Sequence, residues 1–295
     1  MFDFLPGPFK ALFSTSIFVM NTIFWTMTMV PFVILKIAIR NRKVRAACTR
    51  VLVEIAQNWI SGNNLNLALL HKMNLQIENH ADLKMDRSYF VCANHQSWVD
   101  IVILQRVFNR QIPFLRFFLK SELIYVPFLG GAWWALDFPF MKRHSKAYLE
   151  KHPEKRGEDL VTTRKACARF KDSRVSVLNF LEGTRFTTAK HDRQKSPFKH
   201  LLKPKTGGVA FVLDAMGEQF HSLLDVTIFY PQGPISFGGL LRGKLRHVVV
   251  QIDEIAIPRD FLGQSYLNDE AFREKLQAWV TGIWQQKDSR LEQYT

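Results

Sequence analysis

From Ala11 to Leu35 the chain reads ALFSTSIFVMNTIFWTMTMVPFVIL, with no charged residue between Lys10 and Lys36. As one helix this stretch would reach roughly 37 Å, enough to cross a hydrocarbon core of about 30 Å with some tilt. Pro31 lies near one end, where a membrane helix tolerates it. A cleaved signal peptide is disfavoured, because the stretch is too long, Asp3 precedes it and no small-x-small site follows. A buried core helix passes the same composition test. Ser14, Thr15, Ser16, Asn21, Thr22, Thr26 and Thr28 interrupt the apolar run, so a helix lying in the membrane interface stands beside one that spans it.

Past this stretch the pattern shortens and alternates. Leu75–Glu78 alternates apolar and polar, as a half-buried strand does, and Tyr89–Ala93 is a short continuous apolar run. Phe117–Leu119, Val175–Leu181, Val226–Tyr230 and His247–Ile252 read as further buried strands. Helical spacing appears over Trp98–Phe108, Asp159–Lys171, Gly208–Met216 and Asp269–Gln286. Such alternation predicts an α/β fold, a sheet flanked by helices. His144–Gly157 and Lys190–Lys205 read as basic, polar, mobile surface connections. The division expected is a membrane-embedded segment over 1–40, a basic membrane-proximal helical region over 41–74, and an α/β domain over 75–295.

Charge sharpens this picture. The net charge is +14, which favours an anionic partner: nucleic acid, a membrane surface or an acidic carrier protein. Lys36, Arg40, Arg42, Lys43, Arg45 and Arg50 follow the apolar stretch, with no acid before Glu54. Basic residues there favour the cytoplasmic side for the bulk of the chain, put the extreme N-terminus outside, and attract anionic lipids. No nucleic-acid motif is recognisable, so nucleic acid is set aside as a partner. Cys48, Cys92 and Cys167 form no C-x-x-C pair, which argues against a disulfide framework or zinc site and fits a reducing compartment. No metal-ligand spacing is visible.

The candidate chemistry begins at NHQSWVD, Asn94 to Asp100. Inside one helix, five residues turn about 500°, so His95 and Asp100 would lie about 140° apart. If the helix starts at Ser97 or Trp98, His95 sits in the preceding turn and can fold back to hydrogen-bond Asp100, as a base held by an orienting carboxylate. Ser97-x-x-Asp100 before an apolar run also fits a helix capping box. Some eighty residues on, the apolar run Val175–Leu181 feeds Glu182-Gly183-Thr184-Arg185. A glycine there permits a tight turn, and its backbone N–H groups, the Thr hydroxyl and the Arg fork could clamp a phosphate. An ordinary turn with a surface ion pair would read the same.

Taken together, NHQSWVD and NFLEGTRF resemble the glycerolipid acyltransferases of the lysophosphatidic acid acyltransferase (PlsC) type. Their pattern is N-H-x-S-x-x-D, a Lys-containing block with P-x-x-G, F-P-E-G-T-R, and an apolar strand ending near Pro. Here the second block reads Lys120–Leu123 then Pro127–Gly130, and the fourth Val226–Pro231. Leu181 stands where many members have Pro, and Thr227 where Val-Pro is common; these variants look like the longer, YihG-like bacterial branch and animal lysophospholipid acyltransferases.

The resemblance implies the glycerolipid acyltransferase fold with an N-terminal membrane helix, and transfer of an acyl group from an acyl thioester to the hydroxyl of a lysophospholipid. His95 is then the general base and Asp100 its orienting partner. Glu182, Gly183, Thr184 and Arg185 form the acceptor-phosphate site, with Lys120 a candidate phosphate or donor contact. Lys205, before a helix start, could meet an anion or be a solvated loop lysine. The co-substrate is acyl-CoA or acyl-acyl carrier protein, with no other cofactor and no metal. The implied location is the bacterial inner membrane, catalytic domain facing the cytoplasm. The aromatic stretch Leu123–Met141, broken by Pro127 and the pair Gly130-Gly131, reads as part of an acyl tunnel or a surface dipping into the membrane rather than a second span.

Overall fold

The computed structural model describes residues 5–141, 173–262 and 269–294. Its centre is strand β2 (Ser88–Ala93), in which every residue is buried. The reason is two-sided cover. Tyr89, Val91 and Ala93 enter one hydrophobic core, while Phe90 and Cys92 enter another on the opposite face. Among the described residues the main sheet has six strands in the order β1-β8-β7-β2-β6-β3. The others are β1 (Asn74–Asn79), β3 (Leu115–Phe117), β6 (Ser176–Phe180), β7 (Phe220–Phe229) and β8 (His247–Ile255). Strands β7, β2, β6 and β3 run parallel; β8 is antiparallel to β7, and β1 is parallel to β8. The carboxyl ends of four parallel strands therefore share one edge, where open α/β sheets place their sites. A separate pair, β4 (Leu119–Lys120) and β5 (Phe140–Met141), is joined in parallel.

One face of the sheet carries α1 (Gly7–Ala38), α2 (Arg42–Leu70), α3 (Val99–Phe108) and α4 (Leu129–Ala135). The other carries α6 (Thr206–Met216) and α8 (Glu270–Gln293). Between them in sequence lie α5 (Thr188–Gln194) and α7 (Phe237–Leu241). Helix α8 is fastened to β7 by a buried ion cluster. Lys287, fully buried, stands 2.8 Å from Asp225, and Arg290 bridges Asp225 and Asp253. Lys287 also donates to the Val226 carbonyl and to Thr227 Oγ1. Burying charges of this kind is tolerable only because they are paired and hydrogen-bonded.

Helix α1 packs lengthwise on α2 and turns Ser14, Asn21 and Thr22 toward it. Asn21 Nδ2 donates to the Trp59 carbonyl and to Asn63 Oδ1, and Trp59 Nε1 donates to Thr22 Oγ1. Asn66 donates to the Ser14 carbonyl. Gly62 permits the approach, since a Cβ there would lie 2.3 Å from Asn21 Oδ1. Outward, thirteen large apolar side chains from Phe9 to Ile37 are exposed, a continuous patch of the kind that meets a membrane or partner. Both ends of α1 touch the part of the chain that carries the sheet. Gly7 lies against Arg242, just past α7, and Lys36 pairs with Asp137 at 2.7 Å. Three of the polar residues that interrupt the apolar run, Ser14, Asn21 and Thr22, thus tie α1 to α2, while Thr26 and Thr28 bond carbonyls of α1 itself and Thr15 and Ser16 are exposed.

Several boundaries differ from the sequence reading. The run Phe117–Leu119 is split: β3 ends at Phe117 and β4 starts at Leu119. Strand β7 begins at Phe220, not Val226, and α8 runs on to Gln293. The connection Lys190–Lys205 is neither structureless nor loose. Its first part is α5, capped by the Thr187 hydroxyl accepting from the Lys190 N–H, and its Lys199 and His200 N–H groups donate to Asp288 of α8. The expected loop His144–Gly157 and helix Asp159–Lys171 lie outside the described residues. Within Leu123–Met141 the backbone forms a 3-10 turn, the short α4 and β5, with no continuous helix.

Candidate active site

Strand β2 ends at Ala93, and Asn94 extends it with a side chain in place of a backbone. Its amide accepts from the Ile228 N–H at 2.8 Å and donates to the Ile228 carbonyl at 2.9 Å. That bridge to β7 fixes where the chain leaves the sheet. His95 follows, and α3 starts at Val99, so the histidine lies in the turn and folds back over the first helical turn. Its Nδ1 is 2.8 Å from Asp100 Oδ2. A carboxylate only accepts, so Nδ1 carries the proton and Nε2 presents a lone pair. Among the described residues Nε2 has no protein partner. Phe180 stacks on the ring at 4.0 Å between centroids, closing one face.

Asp100 is fully buried and saturated. Oδ2 also accepts from the backbone N–H groups of Gln96 and Ser97 at 2.6 and 2.9 Å, and Oδ1 accepts from the Tyr230 hydroxyl at 2.7 Å. The geometry has a counterpart to each reading of this residue, since Asp100 reaches back to the Ser97 N–H and also meets the imidazole. One carboxylate holds the Gln96–Ser97 turn ahead of α3 and the imidazole. Tyr230 was not singled out in the sequence. Burial, then the charge of Asp100 and the bond to it, push the Tyr230 phenol well above its ordinary value of 10.0, so it stays a donor.

The second sequence stretch leaves β6 beside β2, with Phe180 in register with Ala93. Gly183 has φ +66°, in the region glycine adopts without strain, and its N–H donates to the Phe180 carbonyl. The Phe186 N–H donates to the His95 carbonyl at 2.7 Å, strapping the two turns together. Arg185 is exposed, with its guanidinium 5.0 Å over the Trp98 ring. Lys190 of α5, not foreseen, donates to Thr184 Oγ1 and to the Arg185 carbonyl, each at 2.8 Å. This leaves the Thr184 hydroxyl proton free to donate elsewhere and gives the turn a second cation.

Glu182 is different. It is fully buried and neither carboxyl oxygen has a hydrogen-bond partner among the described residues. Burial pushes its carboxyl well above the ordinary 4.5; the nearby backbone N–H of His95 opposes this, short of a full hydrogen bond, and the Asp100 charge adds to it. A raised folded-state pKa means the folded chain holds this proton at pH values where the unfolded chain has lost it. Stability from this group is therefore full below the unfolded value and falls as pH rises above it. Glu182→Gln removes the ionisation. The variant is expected to unfold at a higher temperature than wild type at about pH 7, with the gain shrinking toward about pH 4. Thermal unfolding at both values checks it, and a pH-independent difference would count against a perturbed carboxyl.

Lys120 ends β4 on the same side of the molecule, three residues past β3. Two inter-strand spacings separate β3 from β2, about 10 Å. Its side chain is exposed and joins none of the hydrogen bonds of His95 or Asp100. Lys205 caps α6, its N–H donating to the Leu181 carbonyl, and its side chain lies beside Gly183, 3.0 Å from where a Cβ would stand. It therefore borders the turn rather than standing alone in a loop. Burial, with Asp225 adding and Lys287 opposing, pushes the Cys92 thiol well above 9.0, so it is core rather than nucleophile. Among the described residues no cluster of three or more His, Cys, Asp or Glu could hold a metal.

A family model described as Acyltransferase matches residues 74–231, more than half of the chain. The 1-acyl-sn-glycerol-3-phosphate acyltransferase delta of Mus musculus is 27% identical over 189 residues, covering 59% of this chain and 44% of that protein. Lysocardiolipin acyltransferase 1 of Mus musculus is 29% identical over 262 residues, covering 80% of this chain and 64% of that protein. The chain thus spans less than half the length of the first relative and under two thirds of the second. The solved structure of the 1-acyl-sn-glycerophosphate (LPA) acyltransferase PlsC from Thermotoga maritima superposes with a TM-score of 0.54 at 18% identity, over 97% of this chain and 98% of that one. That likeness establishes the fold.

Proposed function

The chain belongs to the acyltransferase family, and on that premise we propose that it moves a fatty acyl group from an acyl thioester to the free hydroxyl of lysophosphatidic acid, forming phosphatidic acid. The observation that carries this reading is the unpartnered Nε2 of His95, backed by Asp100 and strapped to the turn that exposes Arg185. Nε2 takes the hydroxyl proton as the oxygen attacks the thioester carbonyl. Asp100 stabilises the imidazolium so formed, and the proton then goes to the departing thiolate as the C–S bond breaks. The thioester is already activated, so no protein nucleophile is needed. The donor is acyl-CoA or an acyl carrier protein thioester, and Lys120 is a candidate contact for its phosphates.

Arg185, with Lys190 beside it, grips the acceptor phosphate. The match to lysocardiolipin acyltransferase 1, which covers 80% of the chain, supports a second reading: the same chemistry on another lysophospholipid such as lysocardiolipin or lysophosphatidylglycerol. We read α1 as lying in one leaflet of the membrane, on the cytoplasmic face of a bacterial inner membrane. A helix that crossed the bilayer would carry its ends to opposite sides, whereas both ends of α1 meet one domain.

A panel of lysolipids offered with labelled acyl-CoA tests the acceptor, and Arg185 variants test the clamp. Arg185→Lys is expected to raise the KM for the lysolipid about ten- to a hundredfold, because one ammonium cannot reproduce a two-pronged contact worth roughly 1.5–3 kcal/mol. Arg185→Ala should lose more, and the KM for the donor should hold. An effect confined to the donor would assign Arg185 to the carrier's phosphates.

A further inference from the structure

A large cavity lies away from His95. It has a volume of about 1230 Å³ and lies between α2, the end of α1 and the domain. Met85, Phe114 and Arg174 line it, and each stands just before β2, β3 or β6 in the chain. The cavity therefore opens at the amino ends of the parallel strands, the edge opposite the histidine. The length of β2 alone separates the two by on the order of 17 Å.

Its chemistry is strongly one-sided. Among the described lining residues the one acid is Asp137, already paired with Lys36. Arg40, Arg45, Arg50 and Arg174 line it as well, are exposed, and have no acidic partner among the described residues. Apolar walls alternate with these cations: Ile39, Val53, Phe114 and Trp134. The neighbouring turn of α1 exposes Ile34, Leu35 and Ile37 on its outer face.

We propose that this cavity is a second lipid site, separate from the catalytic one, which holds an anionic phospholipid of the membrane by its phosphate. Its chains run along the apolar walls toward Ile34 and Ile37. A free phosphate would need neither the apolar walls nor a volume above the ~300–1,000 Å³ usual for small-molecule sites. An acyl donor bound in this cavity would have to pass its thioester arm from one edge of the sheet to the other to reach Nε2. An acidic protein surface would be met by a flat or convex basic face rather than a concave one. The inference rests on α1 lying at the membrane, and not on which acceptor the catalytic site takes.

The test is saturable binding of labelled dioctanoyl phosphatidylglycerol to the full chain, below the lipid's micelle threshold, by equilibrium dialysis. Arg45→Gln with Arg50→Gln is expected to weaken binding roughly ten- to thirtyfold, from the usual worth of a basic residue at an anionic lipid surface. Arg174→Gln, on a different element, should weaken it in the same direction, which guards against a local defect in α2. Lys43→Gln, on α2 but not lining the cavity, and Arg185→Ala, at the catalytic site, should each change it less than about twofold. An equal loss with Lys43→Gln would reduce the effect to diffuse charge, and a loss confined to Arg185→Ala would put the lipid at the catalytic site. Displacement by inorganic phosphate or coenzyme A at matched concentration would replace the lipid with a free anion or the donor. Any of these overturns the proposal. Because the readout is binding, it stands or falls independently of the acyl-transfer reaction.

Discussion

Replacing His95 with alanine is expected to lower turnover about 10²–10⁴-fold while the chain stays folded. The size follows from what the imidazole alone can supply. A lipid hydroxyl is a poor nucleophile until its proton is removed, and Nε2 is the lone pair that the local structure keeps free. The fold should tolerate the loss because Asp100 does not depend on the histidine. It keeps the Gln96 and Ser97 N–H groups and the Tyr230 hydroxyl, so the turn ahead of α3 remains held. The stacking contact with Phe180 disappears, at a cost of about 1 kcal/mol. Steady-state turnover at saturating substrates, with thermal unfolding beside it, checks both parts. Turnover within about tenfold of wild type would move proton abstraction to another group.

Much of this site was legible before the fold was known, and the parts that were not share a cause. His95 and Asp100 are five residues apart, and a strand, a turn and a helix start are all local signals. The continuous burial of Tyr89–Ala93 was readable as a central strand for the same reason. Tyr230 is 130 residues from Asp100, and nothing in either neighbourhood announces the other; the available hint was its position ending an apolar strand before Pro231. The opening of β7 was missed because Ser222 and Asp225 break the apolar run. Their partners, Glu254 and Lys287, come from distant strands and helices. Lys190 read as part of a basic loop because the Thr187 cap that makes the segment helical is one weak signal among many cations. The direction of α1's polar residues was likewise hidden, since only α2 shows that Asn21 and Thr22 face inward.

The geometry also changes what is expected of Asp100. From the pairing alone, Asp100→Asn would act by turning an amide N–H toward the imidazole and forcing the wrong tautomer. Here two backbone N–H groups, of Gln96 and Ser97, converge on the same oxygen that His95 meets. An asparagine NH₂ in that position would face three donors, whereas its carbonyl oxygen fits all three and its NH₂ can donate to the Tyr230 oxygen. Asn should therefore keep the tautomer and much of the cap, and lose only the negative charge that stabilises the imidazolium. That charge-assisted bond is worth roughly 1.5–3 kcal/mol, or about ten- to a hundredfold in turnover. Asp100→Ala removes everything at once. It frees the imidazole to rotate and strands the Gln96 and Ser97 N–H groups and the buried Tyr230 hydroxyl, each at about 1–3 kcal/mol. It should cost turnover about 10²–10⁴-fold and several kcal/mol of stability. The ordering Asn milder than Ala, in both turnover and unfolding temperature, is the measurable consequence of a carboxylate that caps and orients with the same oxygen. Equal losses for the two variants would mean the tautomer is not held by the backbone.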